Sequence, residues 1–299
     1  LTAFDSRFIT PPKEEEEIYP YRRVWSSIIT EAGIMVTIAV GIFLATRFID
    51  VPRRLYLPIG VGISTIPVGL WLGFSWWRER SVPQPRSKLI LVAVVSALTA
   101  NAIGIPLVES FLQVDKWLPL ESAINRIIGY TFTQGLVQAV LTYLVIRYLV
   151  WPDYFRTRLD SIAYGAASAV GYATIMNLHF VLSGSPSPDT AAFRVFDALA
   201  VQLAINIIIG YGLSEVRFNA RPFPILLAAT VALASFIGGL AIPLRAGLTN
   251  ASLAQGISAV SPIRGFLFST ALLAVVAFVF AFLFDNAERQ DAEAAAQRE

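Results

Sequence analysis

Residues 263–284 read IRGFLFSTALLAVVAFVFAFLF, 22 positions with one charge, Arg264, near the edge. As a helix rising 1.5 Å per residue, this stretch is about 33 Å long, enough to cross the ~30 Å hydrocarbon layer of a bilayer. Seven more such stretches lie upstream, at roughly 26–48, 55–77, 89–112, 124–149, 161–182, 196–216 and 223–244. They are continuous rather than alternating and far exceed the roughly 9–11 residues of a barrel strand, which excludes a transmembrane barrel. The expected fold is all-α, a polytopic transmembrane helix bundle of about eight spans. The third span holds Asn101, Pro106 and Glu109 and is expected to kink or stop short before Gln113–Lys116.

The whole chain carries the same signal. Of its 299 residues 56% are hydrophobic and 15% charged, against about 25% charged in soluble domains. Mean hydropathy is +0.62. A soluble enzyme is thereby excluded. Net charge is only +2 and the arginines sit singly or in pairs between spans, so no nucleic-acid partner is expected. The absence of cysteine excludes disulfides, thiolate nucleophiles and iron–sulfur sites.

Three regions follow: an N-terminal arm 1–25, a membrane domain 26–284 and a tail 285–299. The arm has no apolar segment before Trp25 and carries the acidic run Glu14–Glu17, so it reads as a solvated tail or a docking strap rather than a signal peptide. The chain opens at Leu1 rather than Met, which implies a processed or unresolved start. The tail reads as a helix emerging into water. No internal repeat suggests a transporter built from two related halves. With eight spans, fifteen Lys and Arg fall on one side and eight on the other, the full 23, which places both termini in the cytoplasm.

Ionisable residues inside a span are functional candidates, and spans four to seven hold few. Amides stand out: Gln134 and Gln138 spaced i, i+4, then Asn177, then Gln202 and Asn206 at the same spacing. Each pair lies on one helix face, where amides serve equally as interhelical glue. His179 is the sole histidine, and one imidazole falls short of the three or four ligands of a metal site. Asp160 and Asp197 read as caps at helix N-termini. Glu31, Glu109 and Glu215 are scattered over different spans. Small residues in the fifth span (Gly165, Ala169 and Gly171) and the Gly69/Gly73 pair in the second are candidates for close helix packing.

The segment from Phe132 to Leu244 resembles the PrsW family of intramembrane proteases, whose relatives include CAAX-processing and bacteriocin-processing membrane enzymes. Asp160-Ser161-Ile162-Ala163-Tyr164-Gly165-Ala166 is similar to the family's Asp-Gly-Ile-Val-Tyr-Gly-Ala turn into a helix. Gly171-Tyr172-Ala173-Thr174 with Asn177 resembles its Gly-Phe-Ala…Glu-Asn segment, and Arg194, Gly210-Tyr211-Gly212-Leu213 and Arg217-Phe218 match its next helix. The resemblance implies a PrsW-like core over about 132–244 and a prokaryotic cell membrane as the location. It also places the family's Glu-Glu-x-x-Lys motif on Gln138, Ala139 and Thr142, its Glu before the Asn on Met176, its next His on Gln202, and its His-x-x-x-Asp near Ile237 and Ala241.

These substitutions imply a degenerate site, with Gln138, Asn177, Gln202 and Asn206 gathered in one polar cluster and no metal or other cofactor. Hydrolysis in a bilayer needs a metal or a carboxylate base to activate water. The leading expectation is therefore a protein without enzymatic activity, a scaffold or accessory subunit of a hetero-oligomeric complex whose partners are other integral membrane proteins and lipids. Trp71, Trp76, Trp77, Phe266, Phe268, Phe278 and Phe280 are candidates for partner- or lipid-facing surfaces. The alternatives are an active protease using substitutes such as Asp160, His179 and Asp197, or a transporter or channel hinged at Pro67, Pro106 and Pro243. Reporter fusions after Ser187 and Gln290 are expected on opposite sides of the membrane; finding both on one side overturns the assignment of the last spans.

Overall fold

In the computed structural model, residues 24–46, 48–80, 85–219, 223–250 and 261–296 are described, and all regular structure among them is helical. The acidic run Glu14–Glu17, the arm up to residue 23 and the last three residues of the tail lie outside them. The long helices are α1 (Val24–Ala45), α2 (Tyr56–Trp71), α3 (Leu89–Thr99), α4 (Ala123–Tyr130), α5 (Leu136–Leu149), α6 (Asp160–Gly184), α7 (Pro188–Phe218), α8 (Leu226–Asn250) and α9 (Pro262–Ala296). π-helical turns extend α2 through Leu72–Trp76, extend α3 through Ala100–Gly104 and Leu107–Phe111, and join α4 to α5 through Thr131–Gly135.

Seven helical segments are long and apolar enough to cross a membrane. The expected eighth, 124–149, is present as α4, its π-turn and α5, but Gln134, Gln138 and Arg147 make it more polar than the others. The third span turns aside as expected. After Phe111 the backbone reaches a left-handed Gln113 and continues as a short helix, Val114–Trp117.

Helix α7 is the hub. Of its most apolar stretch 89% is buried inside the protein, against 61% for α6 and a third or less for the other crossing segments. It packs against α6, α9, α8, α1, α2 and α5. This burial decides which small residues matter. A Cβ on Gly165 would stand 3.1 Å from the Asn206 carbonyl oxygen, and one on Gly210 would stand 2.9 Å from that of Ser161. The α6 and α7 backbones therefore touch twice. A Cβ on Gly171 would fall on the Ala93 carbonyl of α3, and Ser96 Oγ donates to Ser168 Oγ (2.8 Å) across the same contact. Ala169 is fully buried in this core.

Two expectations fail here. At Gly69 and Gly73 an added Cβ meets nothing within 4 Å, so this pair makes no close helix contact among the described residues. Trp71, Phe266 and Phe280 are buried rather than outward-facing. Phe266 packs its ring 4.8 Å from Phe196 and 5.1 Å from Phe193, while Trp77 and Phe278 stay exposed.

Overpacking a filled interface typically costs about 1–3 kcal/mol. Gly171→Leu should destabilise the folded protein by at least that amount, and Gly69→Leu should leave it within about 0.5 kcal/mol of wild type. Unfolding in mild detergent, followed by loss of a monodisperse elution peak, measures both, and equal effects would contradict the packing described.

Candidate functional site

The two ends of the bundle are built differently. At one end, Arg86 donates from Nε to Asp160 Oδ1 (2.6 Å) and pairs through Nη1 with Glu79 Oε2 (2.9 Å). Arg158 pairs with Glu215, and Tyr164 Oη donates to the Ser87 carbonyl (2.8 Å). All five ionised side chains of these three pairs are nearly inaccessible, so each needs its partner to remain charged. Asp160 is not the cap it was expected to be. Its Oδ2 accepts from the backbone amides of Arg156 and Thr157, upstream of the helix. This end is sealed.

At the other end the helices splay around a cavity of about 830 Å³. The turn after α3 contributes Glu109, Gln113, Asp115 and Lys116, the α4–α5 unit contributes Gln134 and Gln138, and α6 contributes Met176 and His179. Helix α7 adds Arg194 and Asp197, and α8 adds Arg245. The π-turns shape this wall. Gly104 closes one π-turn directly beneath the Tyr172 hydroxyl. Gly135 closes another where a Cβ would fall on the Ser235 carbonyl of α8. Such turns are frequent at functional sites because they swing neighbouring side chains out of helical register.

Two ion pairs stand in the cavity. His179 Nε2 lies 2.9 Å from Glu109 Oε2, with both side chains about two-fifths exposed. Arg245 Nη1 lies 3.2 Å from Asp197 Oδ2. Asp197 was expected at a helix N-terminus. Helix α7 instead begins at Pro188, whose missing N–H suits a first helical position, so Asp197 sits buried in the third turn. The His179–Glu109 contact joins residues 70 positions apart and was not visible in the sequence. Glu31 is placed elsewhere, bonded to Ser27 and Ser75.

The positions singled out by motif are only partly gathered. Gln138, Met176, Gln202 and Ala241 line one recess of about 40 Å³ that continues the cavity inward. There Gln138 Nε2 lies 3.3 Å from Met176 Sδ, and Gln202 Oε1 is buried without a hydrogen-bond partner. Asn177 and Asn206 do not join them. Asn177 donates to the Val195 carbonyl (3.4 Å), whereas Asn206 donates to that of Gln202 (2.7 Å) and lies beside Gly165. From Val195 to Asn206 is eleven residues of α7, about 16 Å, so the expected four-amide cluster does not form: Gln138 and Gln202 share the recess, and Asn177 and Asn206 lie apart from it and from each other. Ala139 and Thr142 are buried, and Ile237 packs on the core, all outside the recess.

The bundle thus combines apolar crossing helices with a cavity lined by polar and charged side chains at one end. The chain belongs to the PrsW family of intramembrane metalloproteases, whose family model matches residues 84–284, about two thirds of it. It is similar to Protease PrsW of Bacillus subtilis (strain 168), at 24% identity over 120 residues, 40% of this chain and 54% of that protein. The chain thus spans about half the length of this curated relative. No solved structure matches. The expectation of a protein without enzymatic activity is corrected by these two findings, since both the family and the relative are described as proteases.

The family's description implies a metal ion, and the donor set can be tested against it. Among the described residues no three of His, Cys, Asp or Glu come together. His179 and Glu109 supply two donors, Asp197 is engaged by Arg245, and the inner recess offers amides and a thioether. These groups do not fit a zinc site of three or four nitrogen, oxygen or thiolate ligands.

The two-ended arrangement is directly testable because the chain has no cysteine. Gln113→Cys and Ser183→Cys should react with a membrane-impermeant maleimide from one side of the membrane and Lys88→Cys from the other. Labelling of all three from one side would refute it.

Proposed function

We propose that this chain is a membrane-embedded peptidase whose acid–base pair is His179 and Glu109. The observation that carries this reading is their 2.9 Å contact inside a cavity large enough for a peptide segment. In the neutral imidazole, Nε2–H donates to the Glu109 carboxylate, which leaves the Nδ1 lone pair free to accept a proton. Glu109 thereby fixes the ring's orientation and stabilises the imidazolium once it forms.

The chemistry follows in two transfers. His179 Nδ1 takes a proton from water as the water oxygen attacks the scissile carbonyl carbon. The imidazolium then returns that proton to the leaving amide nitrogen as the C–N bond breaks. Arg245, held by Asp197, supplies positive charge in the same cavity for the tetrahedral oxyanion. With both ends of the chain cytoplasmic, as the Lys and Arg bias favours, the cavity opens outward and cleavage takes place at the outer rim of the bilayer. Gln138 and Gln202, deeper in, offer amide donors and acceptors to an unwound substrate backbone.

The test is turnover of fluorogenic transmembrane peptides by the chain in proteoliposomes. General acid–base groups typically contribute about 10²- to 10⁴-fold. His179→Gln should lower kcat by that range, and Glu109→Gln should lower it by less, with little change in KM. Turnover should persist in EDTA. Unchanged kcat in His179→Gln, or complete loss in EDTA, would overturn the assignment.

A further inference from the structure

Arg194 differs from the ion-paired arginines of the bundle. Arg86, Arg158 and Arg245 each face a carboxylate at bonding distance. Arg194 lines both the main cavity and its inner recess, yet it makes no ion pair or hydrogen bond among the described residues, and its Nε is buried without a partner. Its guanidinium is held in place by the Phe180 ring, with Cζ 5.4 Å from the ring centroid. Arg194 lines the same cavity as His179 and Glu109. The nearby Asp197 carboxylate bonds to Arg245.

The buried Nε–H of Arg194 has no acceptor, and with one Nη–H it forms the planar fork that receives a carboxylate through two parallel bonds. We infer that Arg194 is an anion subsite that binds a carboxylate of the peptide being cleaved, either its C-terminus or an acidic side chain. This rests on the peptidase reading and specifies its substrate class. Arg194 and His179 line the same cavity, so a carboxylate bound at Arg194 holds its peptide within reach of the acid–base pair.

Three peptides of one sequence separate the sources: one with a free C-terminus and a Glu near the cleavage site, the same peptide with a C-terminal amide, and one with Glu replaced by Gln. Cleavage and binding are both measured, the latter by anisotropy of a labelled peptide on the full chain in nanodiscs. Losing a hydrogen-bonded charge pair corresponds to about tenfold or more. Removing the recognised carboxylate should weaken binding by that factor and raise KM more than it lowers kcat. Arg194→Gln should abolish the discrimination, and Arg194→Lys should keep part of it. If the wild type binds all three peptides equally, the subsite is refuted, whatever the variants do. Equal binding with continued cleavage would leave the peptidase reading standing, and selective binding with no cleavage would refute that reading while keeping the subsite.

Discussion

Everything in this bundle depends on α6 and α7 lying backbone to backbone. Where Gly165 meets the Asn206 carbonyl and Gly210 meets that of Ser161, no side chain separates the helices. In lipid, apolar burial gives helices little reason to associate, so close van der Waals contact must hold them. The tight pair forms a ridge against which α3, α8 and α9 pack. It also fixes where the polar residues of α6 and α7 point. Met176, His179, Arg194, Asp197 and Gln202 all reach one cavity because the pair is antiparallel and its register is set by two glycines.

Charge is managed by opposite means at the two ends. Arg86, Glu79, Asp160, Arg158 and Glu215 are buried, and mutual pairing offsets their desolvation. At the cavity end Glu109, His179 and Arg245 keep partial exposure, and the pairs are longer and fewer. An enzyme in a bilayer needs this asymmetry, since water must reach the reacting bond while the rest of the helix bundle stays dry. The π-turns of α3 and of the α4–α5 unit open one wall without breaking the helices that form it.

The spans were legible because continuous apolar runs follow directly from bilayer thickness. The span read at 124–149 is helical, but Gln134, Gln138 and Arg147 dilute its apolar character. Gly69 and Gly73 match a packing motif as well as Gly165 and Gly171 do; spacing gives the face of a helix but not what lies opposite. Asp197 looked terminal because the polar start of α7, Pro188-Asp189-Thr190, resembles a loop. Gln138, Met176, Gln202 and Ala241, singled out by motif, line one recess, while no motif marks the contact of His179 with Glu109. Their pairing depends on the left-handed turn at Gln113 and the π-turn before it, and no local pattern encodes the resulting approach.

The cavity also redistributes the electric field across the membrane. A space of about 830 Å³ lined by charged side chains admits water, and water carries the bulk potential of that compartment inward. From Gln202 at the recess to Glu215 at the sealed end is thirteen residues of α7, about 20 Å of helix. A transmembrane voltage thus falls over about 20 Å instead of ~30 Å, and the field through the sealed half steepens about 1.5-fold. A unit charge crossing the whole drop changes energy by about 2.3 kcal/mol per 100 mV. Gln202, in the recess, stands where that drop begins, so the voltage falls mainly across the sealed half of the bundle.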